Sequence, residues 1–193
     1  MSVAAAVALL AGVSLLACGF VLVYAALWPA WSPPFGLASS TATQTHSLGW
    51  RERARRSGFG PLIPILAWNL VFASRLPPLF TADAGVPPSV LTLELLGRVF
   101  VFVLPVVLVL DLDGPRGRGG LALYVIGALA YFASWLPPLL DPRPTWLWLG
   151  PYLLPAAFFV GLGMMARSRS YILGASIFVA AHLTHGVFVL AGS

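Results

Sequence analysis

Apolar runs of about twenty residues, the length needed to cross a hydrocarbon core of roughly 30 Å, follow one another along this chain with charged residues, glycine or proline between them. Six stand out, at about 3–27, 59–80, 89–110, 120–140, 146–166 and 170–191. They predict an all-α fold: a polytopic membrane helix bundle of about six transmembrane helices, in one integral membrane domain over 1–193. Most connections are short, so neighbouring helices run antiparallel. The longest, 28–57, carries Trp28, Trp31, Pro33, Pro34 and a Ser/Thr-rich stretch ahead of Arg51, Arg53, Arg55 and Arg56, and reads as an interfacial loop. Pro64, Pro105, Pro151 and Pro155 predict kinks in spans two, three and five. Leu15-Leu16-Ala17-Cys18 has the form of a lipoprotein cleavage site. No basic residue precedes the run, however, and it continues to Leu27, so the first segment reads as a retained helix.

Composition supports the membrane reading. Hydrophobic residues make up 59% of the chain and charged ones 9%, against roughly 25% charged in a soluble domain, and a soluble fold of this size has too little interior to hide that apolar surface. The formal charge of +5 comes from eleven basic residues, all arginine and mostly in short loops, where membrane orientation explains them better than a nucleic-acid surface does. Arg51, Arg53, Arg55, Arg56, Arg116, Arg118, Arg167 and Arg169 fall on one side of the six spans, Arg75 and Arg143 on the other. The first side is expected to be cytoplasmic and both termini extracytoplasmic, in a multi-pass protein of the bacterial cytoplasmic membrane. Trp28, Trp31 and Trp50 then mark the inner interface, Trp146 and Trp148 the outer one. A lone cysteine, Cys18, allows no internal disulfide.

The segment Phe72-Ala73-Ser74-Arg75-Leu76-Pro77-Pro78-Leu79 returns sixty positions later as Phe132-Ala133-Ser134-Trp135-Leu136-Pro137-Pro138-Leu139, with seven of the eight residues identical. Each copy ends an apolar run and is followed by an acid, Asp83 or Asp141, and another run. A duplicated hairpin, 59–110 and 120–166, accounts for this as parallel repeats. Proline pairs stopping two helices independently at an interface account for it equally well.

Polar residues inside the spans carry the candidate chemistry. Glu94 and Arg98, at i and i+4 on span three, share a face and can form an ion pair. His182 and His185, at i and i+3 on span six, likewise share a face and can relay protons, bind a polar head group or ligate a metal. Counted from the outer ends of their spans at 1.5 Å per residue, Glu94 and Arg98 lie about 8 and 14 Å deep and His185 and His182 about 9 and 14 Å deep. A polar cluster in the outer half of the bundle is expected, with Glu94, Arg98, His182 and His185 as catalytic residues and Asn69, Arg75, Tyr131, Ser134, Trp135 and Tyr152 as substrate-binding ones. The blander reading has both pairs merely fixing helix packing.

Other chemistry is poorly supported. Asp111-Leu112-Asp113-Gly114 starts like a calcium loop but lacks the acidic twelfth position. His182 and His185 share a face, whereas a transmembrane haem wants histidines on opposing sides. With no lysine, a retinal Schiff base is excluded. No metal site and no cofactor is expected. Three function classes remain: binding or transforming a lipophilic small molecule (isoprenoid, sterol-like or lipid) by acid/base chemistry; a small proton- or ion-coupled transporter or channel; and a structural or assembly subunit. The expected partners are the lipid bilayer and the lipophilic molecule, without nucleic acid, and a homo-oligomer is compatible with the sequence.

Overall fold

The computed structural model describes residues 56–76, 85–141, 143 and 145–191, which are helical with short connections and no strand. Helix α1 is Leu62–Phe72, extended by a 3-10 turn at Ala73–Arg75. Helix α2, Pro88–Val103, tightens into a 3-10 turn at Leu104–Val106. Helix α3 is Gly114–Ser134 and the short α4 is Leu136–Leu140. A 3-10 turn at Trp146–Leu149 leads into α5, Gly150–Leu153, then α6, Pro155–Met165, and α7, Arg169–Ala191.

Four stretches are long and apolar enough to cross a membrane: Pro88–Val106, Gly114–Leu140, Trp146–Met165 and Arg169–Ala191. They match predicted spans three to six, except that α3 starts six residues ahead of its apolar run. Pro115 in its first turn explains the early start, since its fixed φ suits a helix and its missing N–H is not needed there. Predicted span one, most of the 28–57 loop and both chain termini lie outside the described residues. Predicted span two is described only to Leu76, and its eleven-residue helix rises about 16 Å, short of a full crossing. Among the described residues four of the six expected spans are present.

Small residues let the helices approach. Helix α3 packs along α6, and α7 packs on α2 and α6. A Cβ on Gly120 would sit 2.8 Å from the Gly161 carbonyl oxygen, and one on Gly161 would sit 2.6 Å from that of Gly120. Such backbone approach replaces the hydrophobic drive that helix pairing lacks in lipid. Phe158, Phe159, Phe178 and Tyr171 fill the core between these helices. Phe159 meets Phe178 edge-on at 5.8 Å and Tyr171 at 6.3 Å.

Helix α1 runs parallel to α3. The Tyr124 hydroxyl donates to the Pro61 carbonyl, and one helical stretch further along, the Tyr131 hydroxyl donates to Asn69 Oδ1 at 2.5 Å. Trp68 lies 4.4 Å from Phe72 and 4.8 Å from Phe132, the equivalent phenylalanines of the repeated motif. The hairpins built on that motif differ in packing, because α3 lies along α6 whereas α2 packs chiefly on α7.

The arginine-rich connections gather at one end of the bundle. Leu110 N–H donates to the Arg56 carbonyl at 2.7 Å, Asp111 N–H to that of Met165 at 2.9 Å, and Arg167 pairs with Asp111 at 2.5 Å. At the other end Arg143 grips Asp141 through its side chain and backbone N–H, holding that carboxyl below its ordinary pKa.

Of the four predicted kinks, Pro64 makes none: it sits in the first turn of α1, where no intrahelical donor is required. Pro105 falls in the 3-10 turn that ends α2, and its carbonyl accepts from Ser57 Oγ at 3.2 Å. In the fifth predicted span the helix breaks at Leu154, between α5 and α6. Pro155 offers no N–H to the Pro151 carbonyl, so the ladder is interrupted there.

Replacing Gly161 with Ala forces a methyl group onto the backbone of α3 and is expected to destabilise the bundle by about 1–3 kcal/mol. Gly119→Ala, whose nearest neighbour would be Met164 Cε at 3.8 Å, should change stability by less than about 0.5 kcal/mol. Thermal unfolding of both variants in one detergent measures the contrast.

Candidate functional site

A carboxyl group in an apolar helix needs hydrogen-bond donors, because burying it bare costs several kcal/mol. Glu94 lies on α2 with its side chain 3% exposed, and three donors reach it. Arg98, one turn along the same helix, donates from Nη2 to Oε1. From α7, His182 Nδ1 lies 2.9 Å from Oε1 and His185 Nδ1 lies 2.6 Å from Oε2. Spacings of four residues on α2 and three on α7 bring all four groups to one helix–helix seam. Glu94 is six residues from the start of α2 and His185 six from the end of α7, about 9 Å along each. The cluster thus lies in the half of the bundle away from the arginine-rich end.

Beside the cluster opens a cavity of about 660 Å³, within the roughly 300–1,000 Å³ range of small-molecule pockets. Glu94, Arg98, His182 and His185 line it together with Asn69, Tyr131, Trp135 and Tyr152, so eight of the ten expected site residues share one space. The other two stand apart. Ser134 donates to the Tyr131 carbonyl at 2.6 Å and packs against Gly150. Arg75 is exposed beside Phe72, its guanidinium carbon 5.7 Å from the ring centre. It is absent from the cavity wall although the next residue, Leu76, lines it, so the direction of the side chain rather than its depth excludes it.

The imidazoles are held by aromatic rings. His182 stacks on Phe178 at 5.3 Å with 14° between the planes, and Tyr152 lies 4.7 Å from His182 and 6.0 Å from His185. Tyr152 gains its position from two local features. The break at Leu154 shortens its helix, and Gly186 leaves room where a Cβ would come within 2.6 Å of the tyrosine ring. Phe178, Phe158, Phe159, Phe102 and the α1–α2 leucines complete the walls. Sequence reasoning did not single these out, although Phe178 precedes His182 by four residues and so shares its helix face.

An imidazole that donates Nδ1–H to a carboxylate keeps its other nitrogen, Nε2, as an acceptor and base. Both histidines meet Glu94 through Nδ1. His182, 19% exposed on the cavity wall, is the better placed of the two to exchange a proton with a bound molecule. Among the described residues no group of three or more His, Cys, Asp or Glu side chains is arranged to hold a metal ion.

Comparison with known protein families, curated proteins and solved structures finds no significant match.

Truncating Glu94 to Ala leaves the Arg98 charge and two imidazoles without their acceptor and is expected to cost about 3–5 kcal/mol. Glu94→Gln keeps one acceptor oxygen and should cost distinctly less. Tyr131→Phe orphans Asn69 Oδ1, for an expected loss of about 1–3 kcal/mol. Unfolding midpoints of the three variants, measured side by side, give this ranking or contradict it.

Proposed function

We propose that this is an integral membrane protein that binds a lipophilic small molecule, an isoprenoid, a sterol-like compound or a lipid, and transforms it by proton transfer at Glu94, His182 and His185. One observation carries the reading: a buried carboxyl engaged by two imidazole Nδ1 atoms, in the wall of a cavity otherwise built mainly from aromatic and aliphatic side chains. In this arrangement Glu94 fixes the tautomer and orientation of each ring and stabilises the imidazolium that forms when Nε2 takes a proton, the part a carboxylate plays behind histidine in hydrolase triads. Arg98 anchors the carboxylate. Tyr152, Trp135 and the phenylalanines bury the apolar body and favour positive charge developing on it. The arginine bias favours a cytoplasmic position for the arginine-rich end, and with that orientation the cavity belongs to the outer half of a bacterial cytoplasmic membrane.

A second reading, proton- or ion-coupled transport, draws on the helix break at Leu154, since discontinuous helices beside a central polar site recur in transporters. Proteoliposome flux separates the two. Transport predicts solute movement driven by a pH gradient, and catalysis predicts none.

Native mass spectrometry of the protein gently extracted from its own membranes is the direct test. A co-purifying lipophilic mass, lost in a folded Glu94→Gln protein, is the expected result; bulk phospholipid alone contradicts the proposal. Conversion of the molecule so identified should fall about 10²–10⁴-fold in His182→Ala, the usual span for a missing general base.

A further inference from the structure

The donors and acceptors on the cavity wall are unequally used. Both oxygens of Glu94 are occupied, one by Arg98 and His182 and the other by His185. The Asn69 carbonyl oxygen is occupied by the Tyr131 hydroxyl. Donors remain in excess. Arg98 carries five N–H groups, and among the described residues its acceptor is Glu94 alone. The amide N–H₂ of Asn69 has no acceptor among the described residues. Both side chains line the cavity, and that of Arg98 is 52% exposed.

The depth of Arg98 makes its exposure informative. It lies ten residues from the start of the apolar stretch Pro88–Val106 and eight from its end, about 15 and 12 Å. A guanidinium at that depth is stable only against water or a complementary group in a protein cavity. Glu94 satisfies part of it and is turned toward α7 by the two imidazoles, leaving the remaining N–H groups of the planar fork for an oxyanion, which they match in geometry. The opposite character lies alongside: Ile65 and Leu66 of α1 and Leu91 and Leu95 of α2 line the same space.

We infer that the molecule bound in this cavity carries an anionic oxygen head, a carboxylate or a phosphate, on a single apolar tail, with the head at Arg98 and Asn69 and the tail along the aliphatic faces of α1 and α2. The inference rests on reading the cavity as the site of a lipophilic ligand and specifies the polar end of that ligand. At about 660 Å³ the space suits one tail rather than a two-chain phospholipid.

The test measures binding to the full chain in a non-ionic detergent using probes matched in their tail: dodecanoate, dodecyl phosphate, dodecanol and dodecyltrimethylammonium, with inorganic phosphate alone as the tail-less probe. The two anionic amphiphiles are expected to bind at least about tenfold tighter than the alcohol and the ammonium compound, a difference of about 1.4 kcal/mol. Arg98→Gln should erase that preference, Asn69→Leu should reduce it several-fold, and Arg98→Lys, which keeps the charge, should retain part of it. Should Arg98→Gln fail to fold, Asn69→Leu and Arg98→Lys carry the comparison, and an undiminished anion preference in both overturns the inference. Equal binding of dodecanol, or tighter binding of the ammonium probe, overturns the anionic head while leaving the cavity a lipophilic site. Inorganic phosphate binding as tightly as dodecyl phosphate overturns the tail and identifies a free oxyanion as ligand. Binding of none of the probes sinks the underlying reading of the cavity itself.

Discussion

A carboxyl group inside an apolar helix bundle has few acceptable surroundings, and Glu94 finds them in three donors from two helices. Satisfying that one group sets the register of α2 against α7, because His182 and His185 must both come level with the carboxylate that Arg98 holds from within α2. Gly97 supports the register by leaving room for Phe178, whose Cβ would lie 2.7 Å from an added methyl group. The rest of the site follows. His182 stacks on Phe178, Tyr152 leans on both imidazoles, and the break before Pro155 lets the Tyr152 segment bend toward them.

The remaining architecture keeps the space beside that seam open. Helices α3 and α6 meet backbone to backbone through Gly120 and Gly161, forming a rigid wall on one side. Helix α1 is tied to α3 through the Tyr131–Asn69 and Tyr124–Pro61 hydrogen bonds. Polar groups on α1, α2, α3 and α7 thereby face one cavity, while the arginine-rich loops are bound to one another at the far end.

Much of this was legible in the chain. Apolar run length located four helices, and residue spacing combined with depth correctly set Glu94 level with His185 and His182, since helical rise converts position into depth with little error. Which faces meet was not legible, because depth carries no azimuth. That is why Arg75 and Ser134 were grouped with the cavity residues although one is exposed beside Phe72 and the other bonds its own helix. The individual phenylalanines of the wall were hidden for a different reason: in a chain so rich in phenylalanine and leucine, a residue facing a cavity looks like one facing lipid. Pro64 misled because a proline kinks a helix only past its first turn, and the sequence did not reveal where α1 begins.

The functional account depends on Glu94 holding both rings through Nδ1–H, so that Nε2 is the nitrogen left to accept a proton. Nitrogen-15 magnetic resonance of the protein labelled at histidine, above the pH at which the rings are charged, reads the tautomer directly. The account predicts protonated Nδ1 and bare Nε2 at both His182 and His185, with at least one ring released from that state in Glu94→Gln. Protonated Nε2 at both rings of the wild-type protein would contradict it.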